Sequence, residues 1–291
     1  MNTVVFKKIG LISKQQDPRV KATLETLIAY FQHQIVTLYF DAVTVAWLND
    51  ASLTATPTHE MGQHCDLIMI AGGDGTLLLA ARELAAFDVP LLGINLGHLG
   101  FLTDIPPEQL HQCLDEILGG HYQAEKRFLL QASVYRNEQQ LCCVNALNDV
   151  VLHKWNTAHM VGFEIRIEGR LVTSQQADGL IIATPTGSTA YALSGGGPVV
   201  HPSLNALVLV SICPHTFSNR PLVINANSEI EISICHRHPT EAQLTCDGVL
   251  CQDLQNNDRI VIKKQQSIRL IHPENYDYYT TLRTKLGWTD K

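Results

Sequence analysis

An aspartate set among glycines, Gly72-Gly73-Asp74-Gly75-Thr76, directly follows the continuous apolar run Leu67–Ala71. The run reads as a strand buried on both faces. A helix over Thr76–Phe87 should follow, with Thr76 as its cap and apolar positions from Leu77 onward. The three glycines permit positive φ and leave no Cβ between backbone N–H groups and a ligand. At the carboxyl end of a parallel strand, ahead of a helix N-terminus, such a loop suits phosphate. A bare glycine turn would be read as an ordinary strand-to-helix connection. Asp74 tips the balance, because a carboxylate repels phosphate unless it binds a metal or takes up a proton.

Three further stretches carry candidate chemistry, and three short segments accompany them. Asn95-Leu96-Gly97-His98-Leu99-Gly100-Phe101-Leu102 bends twice at glycine after another apolar strand. By itself it is as readily a surface turn, but beside the first loop it would put two turns at neighbouring strand ends. Asn148-Asp149 interrupts an apolar run and can accept from ribose hydroxyls, although both residues also favour turns and bulges. Asp178 to Pro198, DGLIIATPTGSTAYALSGGGP, is the densest block. Its hydroxyls and glycine amides can hold phosphate, and Tyr191 offers a face to a base. Pro214-His215, Arg220-Pro221 and Cys246-Asp247-Gly248 are each uninformative alone.

The elements that must position these residues fall into two regimes. Up to Leu118, strands and helices alternate: Val4–Ile12, the helix Val20–Tyr30, Ile35–Phe40, a short element Val43–Leu48, the strand at Leu67, its helix, Val89–Ile94 and the helix Pro107–Leu118. Asn49 to Gln63 reads as irregular. Alternation of this kind predicts a parallel α/β sheet. Past Gly119-Gly120 short strands follow one another from Phe128 to Ile271, with Arg259–Lys263 and Ser267–Ile271 as separate strands, so a largely β domain is expected. Tyr276 to Leu286 again looks helical. The boundaries are set at 1–123 for the α/β domain and 124–275 for the β domain, the helix within 276–291 returning to the first.

Composition narrows the classes of function. The chain has 291 residues, 45% hydrophobic and 17% charged, with formal net charge −7 and pI near 6.0. No basic field is available for non-specific nucleic-acid binding. No stretch reaches the roughly 18 apolar residues of a membrane span, and Lys7 and Lys8 break the apolar N-terminus, so no signal-peptide layout is present. Of eight cysteines, none forms a CxxC pair. They are read as reduced core thiols of a cytoplasmic protein, Cys113, Cys213 and Cys246 lying in apolar surroundings. Cys235-His236-Arg237-His238 lacks a second ligand pair at metal-site spacing and reads as a strand end. No P-loop, protein-kinase catalytic loop or complete G-x-G-x-x-G is present, which disfavours a P-loop NTPase and an ordinary dehydrogenase.

The motifs in their order resemble the NAD kinase family. GGDGT matches its signature and, more loosely, that of phosphofructokinases and diacylglycerol kinases. N-x-G-x-x-G-F-L, Asn148-Asp149, the G-S-T-A-Y block, P-H, R-P, D-G and the C-terminal LIHP and KLGW segments continue the likeness from Leu67 nearly to the end. The resemblance implies an NAD kinase/diacylglycerol kinase-like fold and phosphorylation of NAD at the adenosine ribose 2′-hydroxyl, with ATP as donor and Mg²⁺ or Mn²⁺ as the divalent metal; the metal's protein ligands stay unassigned. It gives Asp74 the role of proton acceptor, with Gly75 beside it in the nucleotide site. Asn148, Asp149, Asp178 and the segment Thr189, Ala190, Tyr191, Ala192, Leu193, Ser194 are implied to line the NAD site. His159 approaches from a neighbouring subunit of a homotetramer or homodimer. Gln176 departs from the family, where a basic residue is expected in many bacterial relatives. Two rivals fit less well: a lipid or sphingoid kinase, because no amphipathic basic segment suggests a membrane surface, and a non-enzymatic NAD(H) sensor, which would do better without Asp74.

Overall fold

The computed structural model describes residues 5–14, 17–155, 159–216, 218–235 and 242–288. The chain divides into two units, Met1–Lys126 with Ile268–Lys291, and Arg127–Ser267. In the first unit, β1 (Lys8–Ser13), α1 (Arg19–Phe31), β2 (Thr37–Phe40), α2 (Ala42–Leu48), α3 (Thr58–His64), β3 (Leu67–Ala71), α4 (Asp74–Leu84), β4 (Pro90–Ile94) and α5 (Leu110–Leu118) follow in order. The strands pair in the order β2-β1-β3-β4, all parallel, with Ile9 opposite Leu67 and Met69 opposite Leu92. Every residue of β3 and β4 is buried, as continuous apolar runs in a sheet covered on both faces require. On α1, Val20, Leu24, Leu27 and Phe31 recur at helical spacing and are buried, together with Thr23 and Tyr30.

The second unit is almost wholly strand. It comprises β5 (Tyr122–Arg136), β6 (Gln139–Ala146), β7 (Asp149–Lys154), β8 (Val161–Ile167), β9 (Arg170–Ala177), β10 (Gly179–Ala183), the short α6 (Tyr191–Ser194), β11 (Ala206–Ile212), β12 (Leu222–Asn225), β13 (Ile230–Ile234), β14 (Ala242–Cys246), β15 (Val249–Leu254) and β16 (Arg259–Pro273). The unit boundaries fall inside β5 and β16, and α7 (Tyr278–Leu286) belongs to the first unit. One antiparallel sheet runs β12-β11-β10-β7-β14-β15; in the other, β13 lies between β16 and β8, with β9 beyond. Leu152, Leu180 and Leu244 of the first sheet share a core with Phe163, Ile232 and Ile260 of the second. Three hairpins close on two residues with positive φ, Asn137-Glu138, Glu168-Gly169 and Asp247-Gly248, the turn whose twist matches that of paired strands.

Several expectations need correction. Asn49 to Gln63 is not wholly irregular: it contains most of α3, which buries only Met61 and so shows no periodic stripe. Helix α4 begins at Asp74, two residues before Thr76, and its N-cap is Gly73. Gly72, Gly73 and Gly75 do not use positive φ, whereas Gly97 does. Arg259–Lys263 and Ser267–Ile271 belong to one strand, β16, whose polar middle hid its continuity. Strands β7 and β15 escaped the sequence reading. Cys113 and Cys246 are buried, but Cys213 and Cys143 are exposed and are not core thiols. His236 and His238 lie outside the described residues. Among those described, no helix is long and apolar enough to cross a membrane.

Phe163 is fully buried in the core of the second unit. Phe163→Ala is expected to destabilise that unit by ~3–5 kcal/mol, measured as a lower urea midpoint at unchanged slope.

Candidate active site

In the first unit the sheet presents its carboxyl ends to a cavity of about 590 Å³. Ser13 and Lys14 reach it from the end of β1, Asp41 and Val43 from the cap and first turn of α2, Gly73 from the turn after β3, and Gly75 and Thr76 from the first turn of α4. A Cβ on Gly73 or Gly75 would meet nothing within 4 Å. Packing therefore does not demand these glycines, and both leave backbone open to the cavity. Lys14 and Arg19 both pair with Asp17, at 3.4 and 2.9 Å, so part of the positive charge at this end is already balanced.

Asp74 stands at the first position of α4, where the helix N-terminus favours negative charge. Its carboxylate accepts from the backbone amides of Phe101, Leu102 and Thr103 at 2.8, 3.0 and 3.1 Å, and from the Thr103 hydroxyl at 3.1 Å. The two glycine turns are thereby fastened together. A Cβ at Gly100 would collide with Asp74 Oδ1. Asn95 closes its own turn by accepting from the Gly97 amide at 2.8 Å.

The second unit repeats this arrangement. Asp247, in the β14–β15 turn, accepts from the amides of Leu147, Asn148 and Asp149 at 2.8, 2.8 and 3.1 Å. The Asn148 Oδ1 is buried without a hydrogen-bond partner among the described residues. Asp149 is 5% exposed. Burial first, and the nearby Asp247 charge second, push its carboxyl up to about 7. A Cβ at Gly187 would strike the Asn148 carbonyl. Thr184 secures the same corner by donating to the Leu147 carbonyl at 2.6 Å and accepting from the Gly187 amide at 3.2 Å.

The remaining candidates of this unit are not all gathered at that corner: β10 pairs Ala183 with Asp149 there, and Asp178 lies beyond its opposite end, where Gly179 pairs with His153. Thr189 donates to the Thr186 carbonyl at 3.2 Å. Ala190 precedes α6, whose Tyr191 is 47% exposed and whose Ser194 is exposed. Ala192 is fully buried against Val151 and Ile181, so its methyl packs in the core, and Leu193 is half-buried beside it. Asp178 forms an ion pair with Lys154 at 2.7 Å. Gln176 lies instead on a separate polar cavity of about 500 Å³, with Gln175, His215 and Arg220. His159 is exposed at the bend before β8. Asp74 and Gly75 belong to the first unit and all the others to the second.

Sequence reasoning missed Lys154, which balances Asp178, and Arg127, buried with its guanidinium on the Thr186 hydroxyl at 3.0 Å. It also passed over Thr103 and Asp41. Among the described residues no three His, Cys, Asp or Glu side chains gather where an ion would sit.

Comparison with known proteins is consistent along the chain. The family model of the ATP-NAD kinase N-terminal domain matches residues 13–122, and that of the C-terminal domain matches residues 147–272. An NAD kinase from Nitrosococcus oceani is 48% identical over 287 residues, 98% of each chain. One from Cellvibrio japonicus is 46% identical over 289 residues, 97% of this chain and 96% of its own. Among solved structures, yeast NADH kinase complexed with NADH is similar at TM-score 0.89 and 26% identity, covering 98% of this chain and 89% of the yeast chain. An NAD kinase from Archaeoglobus fulgidus shares the fold at TM-score 0.74 and 24% identity, over 96% and 97% of the two chains.

Asp149 makes stability depend on pH. Its carboxyl sits near 7 when folded against an ordinary 3.8, so the folded state binds the extra proton and stability falls as pH rises between those values. Asp149→Asn removes this penalty. The variant is expected to match wild type near pH 4 and to exceed it by up to about 4 kcal/mol above pH 8, read from urea titrations across that range.

Proposed function

The chain belongs to the ATP-NAD kinase family, and on that premise we propose how its residues divide the work. The protein phosphorylates NAD with ATP, giving NADP and ADP. In this reaction the 2′-oxygen of the adenosine ribose bonds to the γ-phosphorus, the bond from that phosphorus to the β,γ-bridging oxygen breaks, and the 2′-hydroxyl loses its proton. We assign the proton to Asp74. Three backbone amides and one hydroxyl fill its acceptor sites. Receiving a proton means releasing a donor, and the Thr103 hydroxyl can do so simply by rotating. The amides stay in place and keep the carboxylate aimed.

The cavity beside Gly73 and Gly75 is proposed to hold the triphosphate, with Lys14 as cation and the helix N-terminus as anion site. Mg²⁺ or Mn²⁺ is proposed to arrive on ATP and to be held chiefly by phosphate oxygens, where it would screen their charge. The unpartnered Asn148 Oδ1 is the observation that carries the NAD assignment: a buried acceptor at the family's Asn-Asp position suits a ribose or amide donor. Asp149, Asp178 and Thr189 to Ser194 complete that proposal, with Gln176 and His159 as outlying contacts. Gln176 supplies no charge, so any phosphate near its cavity would depend on Arg220. We also propose a cytoplasmic homotetramer or homodimer. Exposed Trp155, Leu171, Val172, Leu222 and Val223 support the assembly.

Asp74→Asn keeps size and part of the hydrogen bonding but cannot take the proton. We expect kcat to fall roughly 10²–10⁴-fold while the NAD KM moves little, measured by coupling NADP formation to an NADP-specific dehydrogenase. Near wild-type turnover would remove Asp74 from the mechanism. Dilution should lower specific activity as oligomers dissociate; a monomer by light scattering that keeps full activity would defeat the assembly proposal.

A further inference from the structure

The strand order β2-β1-β3-β4 reverses direction between β1 and β3, the kind of point at which open parallel sheets bind ligands outside their strand ends. The first unit's cavity opens there, but its two sides differ chemically. The β3 side offers Gly73, Gly75 and a helix N-terminus, with Lys14 between, which suit phosphate, while the one carboxylate on that side, Glu83, lies more than two turns further along α4. The β2 side offers Asp41, a carboxylate, with Val43 beside it. Phosphate would be repelled there, whereas a hydroxyl could donate. Neighbouring strands are ~4.8 Å apart, so the ends of β2 and β3 are separated by on the order of 10 Å, a gap that a ribose joined to a phosphate chain can span.

Asp41 is held firmly for such a contact. It caps α2 by accepting from the Thr44 amide at 2.8 Å, and amides of Ser13 and Val43 also reach its carboxyl. Thr44 is fully buried and donates towards the Leu11 carbonyl and Ser13 hydroxyl, which fixes the cap against β1. An ionised carboxylate has about four acceptor sites; three amides and the Thr44 hydroxyl reach this one, and the hydroxyl can turn wholly to the Leu11 carbonyl or the Ser13 hydroxyl, which frees a site for another donor. We propose that Asp41 accepts a hydrogen bond from a ribose hydroxyl of the phosphoryl donor and thereby selects a nucleoside triphosphate over inorganic polyphosphate. This rests on the reading of the cavity as the donor site.

The test is calorimetric binding to the full-length protein without NAD, so no turnover is needed. The titrants are ATP, 2′-deoxy-ATP, 3′-deoxy-ATP and inorganic tripolyphosphate. Wild type should bind one deoxy analogue about tenfold or more weakly than ATP, the loss expected for a hydrogen bond to a charged group. Asp41→Asn preserves the cap, since Asn serves at that position about as well as Asp. It should bind ATP and that analogue alike, while its affinity for tripolyphosphate does not fall. Equal wild-type affinity for ATP and both analogues overturns the proposal without any variant, as does discrimination that survives Asp41→Asn. Gly75→Leu separates the two levels of the argument: it should fill the cavity and abolish ATP binding, and retained ATP affinity would overturn the donor-site reading itself.

Discussion

Two carboxylates each hold a loop of this chain in shape, and each does so by gathering three successive backbone amides. Asp74 takes those of Phe101 to Thr103, and Asp247 takes those of Leu147 to Asp149. Consecutive amides curled in this way form an anion-binding concavity. In both units the anion that fills it comes from the protein. Hydrogen bonds to a charged acceptor contribute about 1.5–3 kcal/mol each in typical cases, enough for three of them to outweigh the entropy of ordering a short loop. The loops are thus arranged during folding, and substrate need not order them.

The same device has opposite consequences at its two sites. Asp74 is supplied with donors and faces a helix N-terminus, so its negative charge is well accommodated. Asp149 gives its amide to Asp247 while its own carboxyl lies buried beside that charge, and the proton is driven onto it. Burial first, and the Asp247 charge that organises the corner second, therefore make Asp149 a weak acid. Asp178 shows a third solution, a direct ion pair with Lys154. Three carboxylates in one chain thereby meet three electrostatic environments, and their chemistry follows from neighbours more than from residue type.

The sequence disclosed those parts whose signal is local. Leu67–Ala71, Val161–Ile167 and Ala206–Ile212 were legible because an apolar run or a strict alternation survives in a few residues. Helix α3 was not, since a helix burying one methionine has no stripe to read. Strand β15 was missed because Val249 and Leu250 are exposed and its other residues are mixed. The glycine loop was recognised for its openness; its glycines permit a left-handed backbone without using one, and only at Gly72 does packing exclude a Cβ, which would meet Thr76. Partnerships across long separations left no local trace. Asp247 reaches amides about a hundred residues earlier, and Arg127 meets Thr186 across 59 positions.

Asp247 also occupies the left-handed region, at φ 50°, in a two-residue turn completed by Gly248 at φ 75°. Aspartate and asparagine are among the few side chains that tolerate this conformation. One side chain therefore answers to two masters, the hairpin's handedness and the loop that carries Asn148. A substitution survey that sorts positions into those needed for abundance and those needed for turnover would file Asp247 under abundance, because most replacements strain the turn before any effect on substrate is seen. Variation at this position would mislead anyone looking for the active site by tolerance alone.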